Sequence, residues 1–171
     1  MKIALITDTY FGARNDSFIF NDFFKRFYDN VFFPTLKERG ITKVLHLGDV
    51  VDRRKFINYK TLNSMKEILF LPLKEMGINM DIIVGNHDIY YRNTNMINSI
   101  RELFNEDLKL YEDPEVVNFD GLDIALLPWV NKENQEKSIE FIKGVAAPLL
   151  IGHLELHGYD VMRGVKFDGG M

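Results

Sequence analysis

The chain has 171 residues, of which 46% are hydrophobic and 27% charged, with no cysteine and a formal net charge of −4. This balance is that of a globular domain with one substantial core, and it excludes a mostly disordered chain, a disulfide framework and any thiolate metal site. The mild negative charge gives no sign of a broad basic nucleic-acid surface, and no apolar run approaches the roughly 18 to 20 residues needed to cross a bilayer, so no membrane partner is expected and the cytoplasm is the expected location.

The first apolar run, Lys2 to Thr7, is short and ends at Asp8-Thr9-Tyr10 without a cleavage site, which predicts a buried strand rather than a signal peptide. Asn15 or Ser17 can cap the next element, where Phe20, Phe23, Phe24, Phe27, Val31 and Phe32 recur at helical spacing. Pro34 is expected to kink that helix or open a second turn, and Gly40 to end it. A strand follows over Thr42 to Leu47. A second helix is expected from Asn58 to Met76, with Leu62, Met65, Leu69 and Leu73 on one stripe, a break at Pro72 and a stop at Gly77. The strand Met80 to Val84 completes β-α-β-α-β, which predicts parallel strands whose carboxyl ends share one edge of the sheet.

Beyond Asp88 the pattern predicts a helix over Asn95 to Phe104 and then an antiparallel half built from Leu108 to Tyr111, Val116 to Phe119 and Leu122 to Leu127. Asp120-Gly121 between the last two is a hairpin signal. A helix near Glu133 to Ile142 and a strand Ala147 to Ile151 follow, the latter ending in Gly152-His153. No complete element is expected after His153.

Four expected strands thus end at Asp8, Asp49, Asn86 and His153, each a donor of oxygen or nitrogen lone pairs. Carboxylates gathered in this way repel unless a cation neutralises them, and carboxylate, amide and imidazole donors without sulfur suit manganese, iron or zinc. The bland readings are a turn cap for Asp8 taken alone, a packed core position for His46, and a turn cap for Asp88. Glu155 and His157 read as the wet side of an extended segment, Trp129 as structural and the phenylalanine-rich helix as core. Arg53, Arg54, Lys55, Lys60 and Lys66 read as a solvated face that can also guide a phosphate backbone.

Asp8-Thr9-Tyr10, Gly48-Asp49-Val50-Val51-Asp52-Arg53, Gly85-Asn86-His87-Asp88 and Gly152-His153 resemble, in order, the D-x-H, G-D-x-x-D-R, G-N-H-[DE] and later H motifs of the calcineurin-like metallophosphoesterases. Within them, the context of Asn86, Leu127-Pro128-Trp129 and the segment Gly152 to Gly158 look like the SbcD-type nuclease subunits and their phage relatives. The resemblance implies an α/β fold of four layers, a central β-sandwich of mixed sheets flanked by helices. It also implies two divalent metals, Mn2+ foremost with Fe or Zn as alternatives. Asp8 would bind the first, Asp49 would bridge, and Asn86 and His153 would bind the second. His87 would meet the scissile phosphate, Asp52 would orient it, and Arg53 would hold the loop or a phosphate.

Two departures shape the expectation. Tyr10 stands where the family has histidine, and a neutral phenol is a poor ligand, so the first site should be weakened. No G-H-x-H motif follows His153, so residues 1–171 are expected to be the N-terminal part of a phosphoesterase domain, truncated or degenerate. The resemblance implies a metal-dependent DNA exonuclease or endonuclease subunit that works with an SMC-like ATPase in recombination or repair. Its implied partners are DNA, that ATPase and a second copy of the chain in a homodimer, in a bacterial or phage-infected cell. The alternatives are a small-substrate phosphodiesterase or phosphatase, and a catalytically impaired binding module of the same fold.

Overall fold

The computed structural model describes residues 2–104 and 108–170. The first sheet contains β1 (Ala4–Ile6), β2 (Lys43–His46), β3 (Asn79–Ile83) and β4 (Lys109–Tyr111) in that spatial order, every neighbouring pair parallel. The second contains β5 (Glu115–Phe119), β6 (Leu122–Leu127) and β7 (Leu149–Gly152), with β5 antiparallel and β7 parallel to β6. The expected antiparallel half is therefore corrected. Only the hairpin across Asp120-Gly121 is antiparallel in the second sheet, and β4 extends the parallel sheet instead.

Alternation along the strands sorts residues into two cores. Leu45, Ile83 and Tyr111 of the first sheet face Val117, Phe119, Ile124 and Leu126 of the second. On the other face of the first sheet, Val44, Met80 and Ile82 pack against Tyr28, Phe32, Leu36, Met65, Leu69 and Leu73. Parallel and mixed sheets flanked by helices are the architecture the sequence led us to expect.

The two long helices depart from expectation at their prolines. Helix α1 runs through Phe18–Phe27, a π-helical turn Tyr28–Phe32, and Phe33–Arg39, and helix α2 runs through Tyr59–Met65, a π-helical turn Lys66–Phe70, and Leu71–Glu75. Pro34 and Pro72 each sit second in the segment after the π turn. Proline in an ordinary helix clashes with the carbonyl four residues back and leaves it without a donor. Here the residue before each proline bonds five residues back, Phe33 to Tyr28 and Leu71 to Lys66, so the helix widens and continues. Neither proline breaks its helix. Asn58 caps α2 by accepting the Thr61 N–H at 2.8 Å.

The aromatic face of α1 is also corrected. The buried line is Tyr28, Phe32 and Leu36, while Phe20, Phe23, Phe27 and Val31 form a neighbouring stripe that remains exposed. Helix α3 covers Ser99–Phe104, four residues shorter at its start than expected, and α4 covers Gln135–Gly144. After His153 there is a further element: β8 (Asp160–Met162) pairs with β9 (Val165–Lys166) as a small hairpin. Among the described residues, no helix is long and apolar enough to cross a membrane.

Candidate metal and phosphate site at the strand ends

The parallel strands bring their carboxyl ends to one edge, and the loops that leave them continue the pairing. Asp8 N–H donates to Gly48 C=O (3.1 Å), Tyr10 N–H to Asp49 C=O (3.2 Å) and Phe11 N–H to Val50 C=O (2.9 Å). Trp129 N–H donates to Val84 C=O (2.8 Å), which joins the end of the second sheet to the end of β3. His153 N–H donates to Leu127 C=O (3.0 Å) and so sits one step beyond β7.

The loops after β2 and β3 touch so closely that only glycine fits. A Cβ on Gly85 would lie 2.3 Å from the Asp49 backbone nitrogen, and one on Gly48, at φ +93°, would lie 2.7 Å from the Gly85 Cα. Asp88 fastens the pair. Its carboxylate accepts from Asp49 N–H (2.8 Å), Val50 N–H (2.9 Å), Val51 N–H (3.4 Å) and Gly85 N–H (2.9 Å), and it is completely buried. Burial pushes its carboxyl up to about 6, against the pull of those backbone donors. Read from sequence as a local cap, Asp88 instead ties two motifs together. Nothing in the sequence marks a bond of that range.

At the centre lies Asp49, 1% exposed and held at φ 58°. Its Oδ1 accepts His87 N–H (2.8 Å) and its Oδ2 accepts the Tyr10 O–H (2.8 Å). Asp8 and Tyr10 are also in the left-handed region, at φ 53° and 42°, a conformation that costs an L-residue roughly 1–2 kcal/mol and is held here by the loop pairing. Asp8 is exposed and reaches the same Tyr10 hydroxyl. Desolvation first, then the hydrogen bond and the charge of Asp49, then Asp8, hold the Tyr10 phenol well above its ordinary value, so it remains a donor.

Two histidines share one design. His153 Nδ1–H donates to Leu47 C=O (2.7 Å) and His87 Nδ1–H to Asp52 C=O (2.5 Å), so a backbone carbonyl fixes each tautomer and leaves Nε2 with a lone pair. The Asn86 amide, oriented to satisfy its neighbours, donates NH2 to His153 Nε2 (2.9 Å) and faces Asp49 Oδ2 (3.1 Å) and Oδ1 (3.2 Å). Lone pairs of Asp49 and His153 thus surround one electropositive group, which is the environment a cation requires. Turning the amide about its own axis would present its oxygen in place of its nitrogen. Asp49, Asn86 and His153 therefore fit a divalent ion with oxygen and imidazole ligands. Among the described residues, no group of three or more His, Asp or Glu side chains gathers as a cation site, and the Asn86 amide would be the third ligand here.

The other expected residues fall as follows. Asp52 meets His87 through its backbone carbonyl, not its carboxylate. Arg53 is committed to Asp16 and lies over the Phe56 ring at 4.7 Å, so it holds the loop. Asp16 also accepts from Thr61, and these bonds hold its carboxyl below the usual range despite the opposing effect of desolvation. Arg54 differs: its Nη1 is buried without a hydrogen-bond partner. Desolvation and the Arg92 charge lower the affinity of that guanidinium for its proton, while the Asp49 and Glu155 charges raise it. Trp129 packs edge-on against the His153 ring, centroids 6.2 Å apart.

His46 lies wholly in the interior. Gly48 N–H donates to its Nδ1 (3.2 Å), its Nε2–H meets Thr9 Oγ1 (3.1 Å), and Thr9 O–H donates to Val50 C=O (3.2 Å). This relay satisfies a neutral ring, and desolvation pushes its pKa down to about 3.

Comparison with known proteins gives a match of residues 1–168 to the family model described as calcineurin-like phosphoesterase. The chain is 39% identical over 135 residues to exonuclease subunit 1 of Enterobacteria phage T4, an alignment covering 78% of this chain and 40% of that protein. The chain thus spans less than half the length of the curated relative it matches. A solved structure of a protein of unknown function from Aquifex aeolicus is 20% identical, with a TM-score of 0.46, covering 93% of this chain and 80% of that one.

Proposed function

The chain belongs to the calcineurin-like phosphoesterase family, and from that premise we propose that it is the metal-binding part of a DNA nuclease subunit that hydrolyses phosphodiesters. The observation that carries this reading is the convergence of Asp49 and His153 lone pairs on the Asn86 amide, beside His87. A divalent metal bound there would supply Lewis acidity toward a phosphate oxygen. His87, with Nδ1–H fixed on a carbonyl and Nε2 free, is placed to exchange a proton with a substrate oxygen. Arg54 is partly exposed, and a guanidinium there is suited to a phosphate oxygen.

The likeness to an exonuclease subunit of phage T4 supports DNA as substrate and assembly with a partner, for which an SMC-like ATPase in recombination or repair is our reading. Manganese is the proposed ion, with iron or zinc as alternatives, since oxygen and imidazole ligands without sulfur suit all three. Cleavage of end-labelled single- and double-stranded DNA in manganese tests the reading, with His153→Ala and Asn86→Ala as controls. DNA cleavage abolished in both variants supports it. DNA inertness with brisk turnover of an aryl phosphodiester would favour a small-substrate enzyme.

A second reading, a binding module of the same fold, is favoured by one observation, the Tyr10 phenol in the first motif. Metal-independent DNA binding without cleavage of any phosphodiester would support it. Salt titration then reports the arginine: Arg54→Met should weaken DNA binding and lower the salt slope by about one.

A further inference from the structure

Tyr10 lies where the first of two metals would share Asp49, and the lone pairs of Asp49 can be counted. A carboxylate offers roughly four lone-pair directions, about two on each oxygen. One on Oδ2 is taken by the Tyr10 hydroxyl at 2.8 Å, and one on Oδ1 by His87 N–H at 2.8 Å. The directions that remain face the Asn86 amide, at 3.1 and 3.2 Å, and the His153 ring, whose Nε2 lies 3.5 Å from Oδ1. Besides Tyr10 and His87, the side chains that approach the Asp49 carboxylate this closely are therefore the second-metal ligands.

On the opposite side the phenol is wedged in place. Its ring stands edge-on to His87, with centroids 5.2 Å apart and planes at 79°, and its hydroxyl is held on Asp49 Oδ2. The backbone at Tyr10 is fixed in turn by its N–H bond to Asp49 C=O at 3.2 Å. A hydroxyl donated to Asp49 beside the Asp8 charge offsets part of the repulsion between the two carboxylates, the service a cation would perform. Tyrosine in place of histidine thus does more than remove a ligand, because it puts a hydrogen-bond donor where a lone pair directed at the metal is needed.

We infer that the residues of this chain hold a single divalent metal, on Asp49, Asn86 and His153, and that the Tyr10 hydroxyl takes the place of a second one. This rests on the metal-dependent reading above and adds the stoichiometry. Manganese titration of the 171-residue chain by calorimetry, followed by native mass spectrometry and electron paramagnetic resonance, tests it without reference to turnover. The expected result is one equivalent of metal, the resolved spectrum of an isolated Mn2+ ion and no tyrosinate absorbance on binding. Tyr10→His should add a second equivalent and the broadened signal of a coupled pair.

Two equivalents of comparable affinity in the unmodified chain would overturn the inference and leave the metal-dependent reading standing. So would a tyrosinate band, which would make Tyr10 a ligand. No metal binding at all would overturn both. If Tyr10→His does not fold, the stoichiometry and spectrum of the unmodified chain still decide.

Discussion

His46 carries no charge in the fold because both of its hydrogen-bond partners, Gly48 N–H and Thr9 Oγ1, are arranged for a neutral ring. Protonating Nδ1 would set an N–H against the Gly48 N–H that now donates to it. The folded pKa lies near 3, below the ordinary 6.5, so the unfolded chain takes up a proton the folded chain refuses. The stabilising effect is complete above about pH 6.5 and is lost as pH falls from there toward 3. Over the same range Asp88, whose folded value lies near 6 against an ordinary 3.8, takes up a proton in the fold and opposes this change, so the His46 contribution is read by difference: the urea-unfolding stability of the unmodified chain relative to His46→Gln should fall between pH 7 and 4 by an amount on the order of a few kcal/mol. Asp88→Asn makes a second residue-scale prediction. The substitution creates no cavity, yet turns an amide NH2 toward two of the four backbone donors, and it should lower stability by about 2–4 kcal/mol. The position of Asp8, Asp49, Asn86 and His153 at the strand ends could be anticipated from sequence, because a polar residue at the exit of an apolar run has a fixed destination in a parallel sheet. The Asp88 bonds, the His46 relay and the committed state of Arg53 could not be, since each depends on a partner more than thirty positions away.

The helices and strands show which local signals survive packing. Pro34 and Pro72 carried a correct message, that the ordinary i−4 ladder fails at those positions. The chain answers with a widened turn rather than a break, because breaking α1 or α2 would expose Leu36 or Leu73, both almost fully buried. The direction of β4 and β7 was hidden for a different reason. Short apolar runs fix a strand's burial but not its partner, and Leu108 to Tyr111 reads the same whether it extends the parallel sheet or begins another. Between the sheets, Asp81 is nearly sealed and is held by Lys43 and by the Tyr111 hydroxyl at 3.0 Å. Asp81→Ala should cost about 1–3 kcal/mol by stranding both partners, and Lys43→Met combined with Asp81→Leu should recover part of it, as read from urea unfolding. A loss no smaller in the double variant would mean that the polar trio does more than fill the space between sheets.

At the scale of the molecule, apolar surface is distributed unevenly. Phe18 is 64% exposed, Ile19 80% and Phe23 61%, and Phe20, Phe27 and Val31 continue the patch along α1. The sequence announced an aromatic face but could not divide it between core and solvent, since two stripes one residue apart share the helical period. A patch of this kind usually marks an interface. Replacing Ile19 and Phe23 together by serine should reduce concentration-dependent self-association in sedimentation velocity, with little change in thermal stability because neither residue is buried.

The staple formed by Asp88 also bears on how the protein breathes. The amides of Asp49, Val50, Val51 and Gly85 all end on one carboxylate, so none of them can be released without loosening the rest. In native-state hydrogen exchange they should behave as one cooperative unit with a common opening free energy, although they come from two loops far apart in the chain. Asp88→Asn should speed their exchange together and leave the amides of α4 near their original rates.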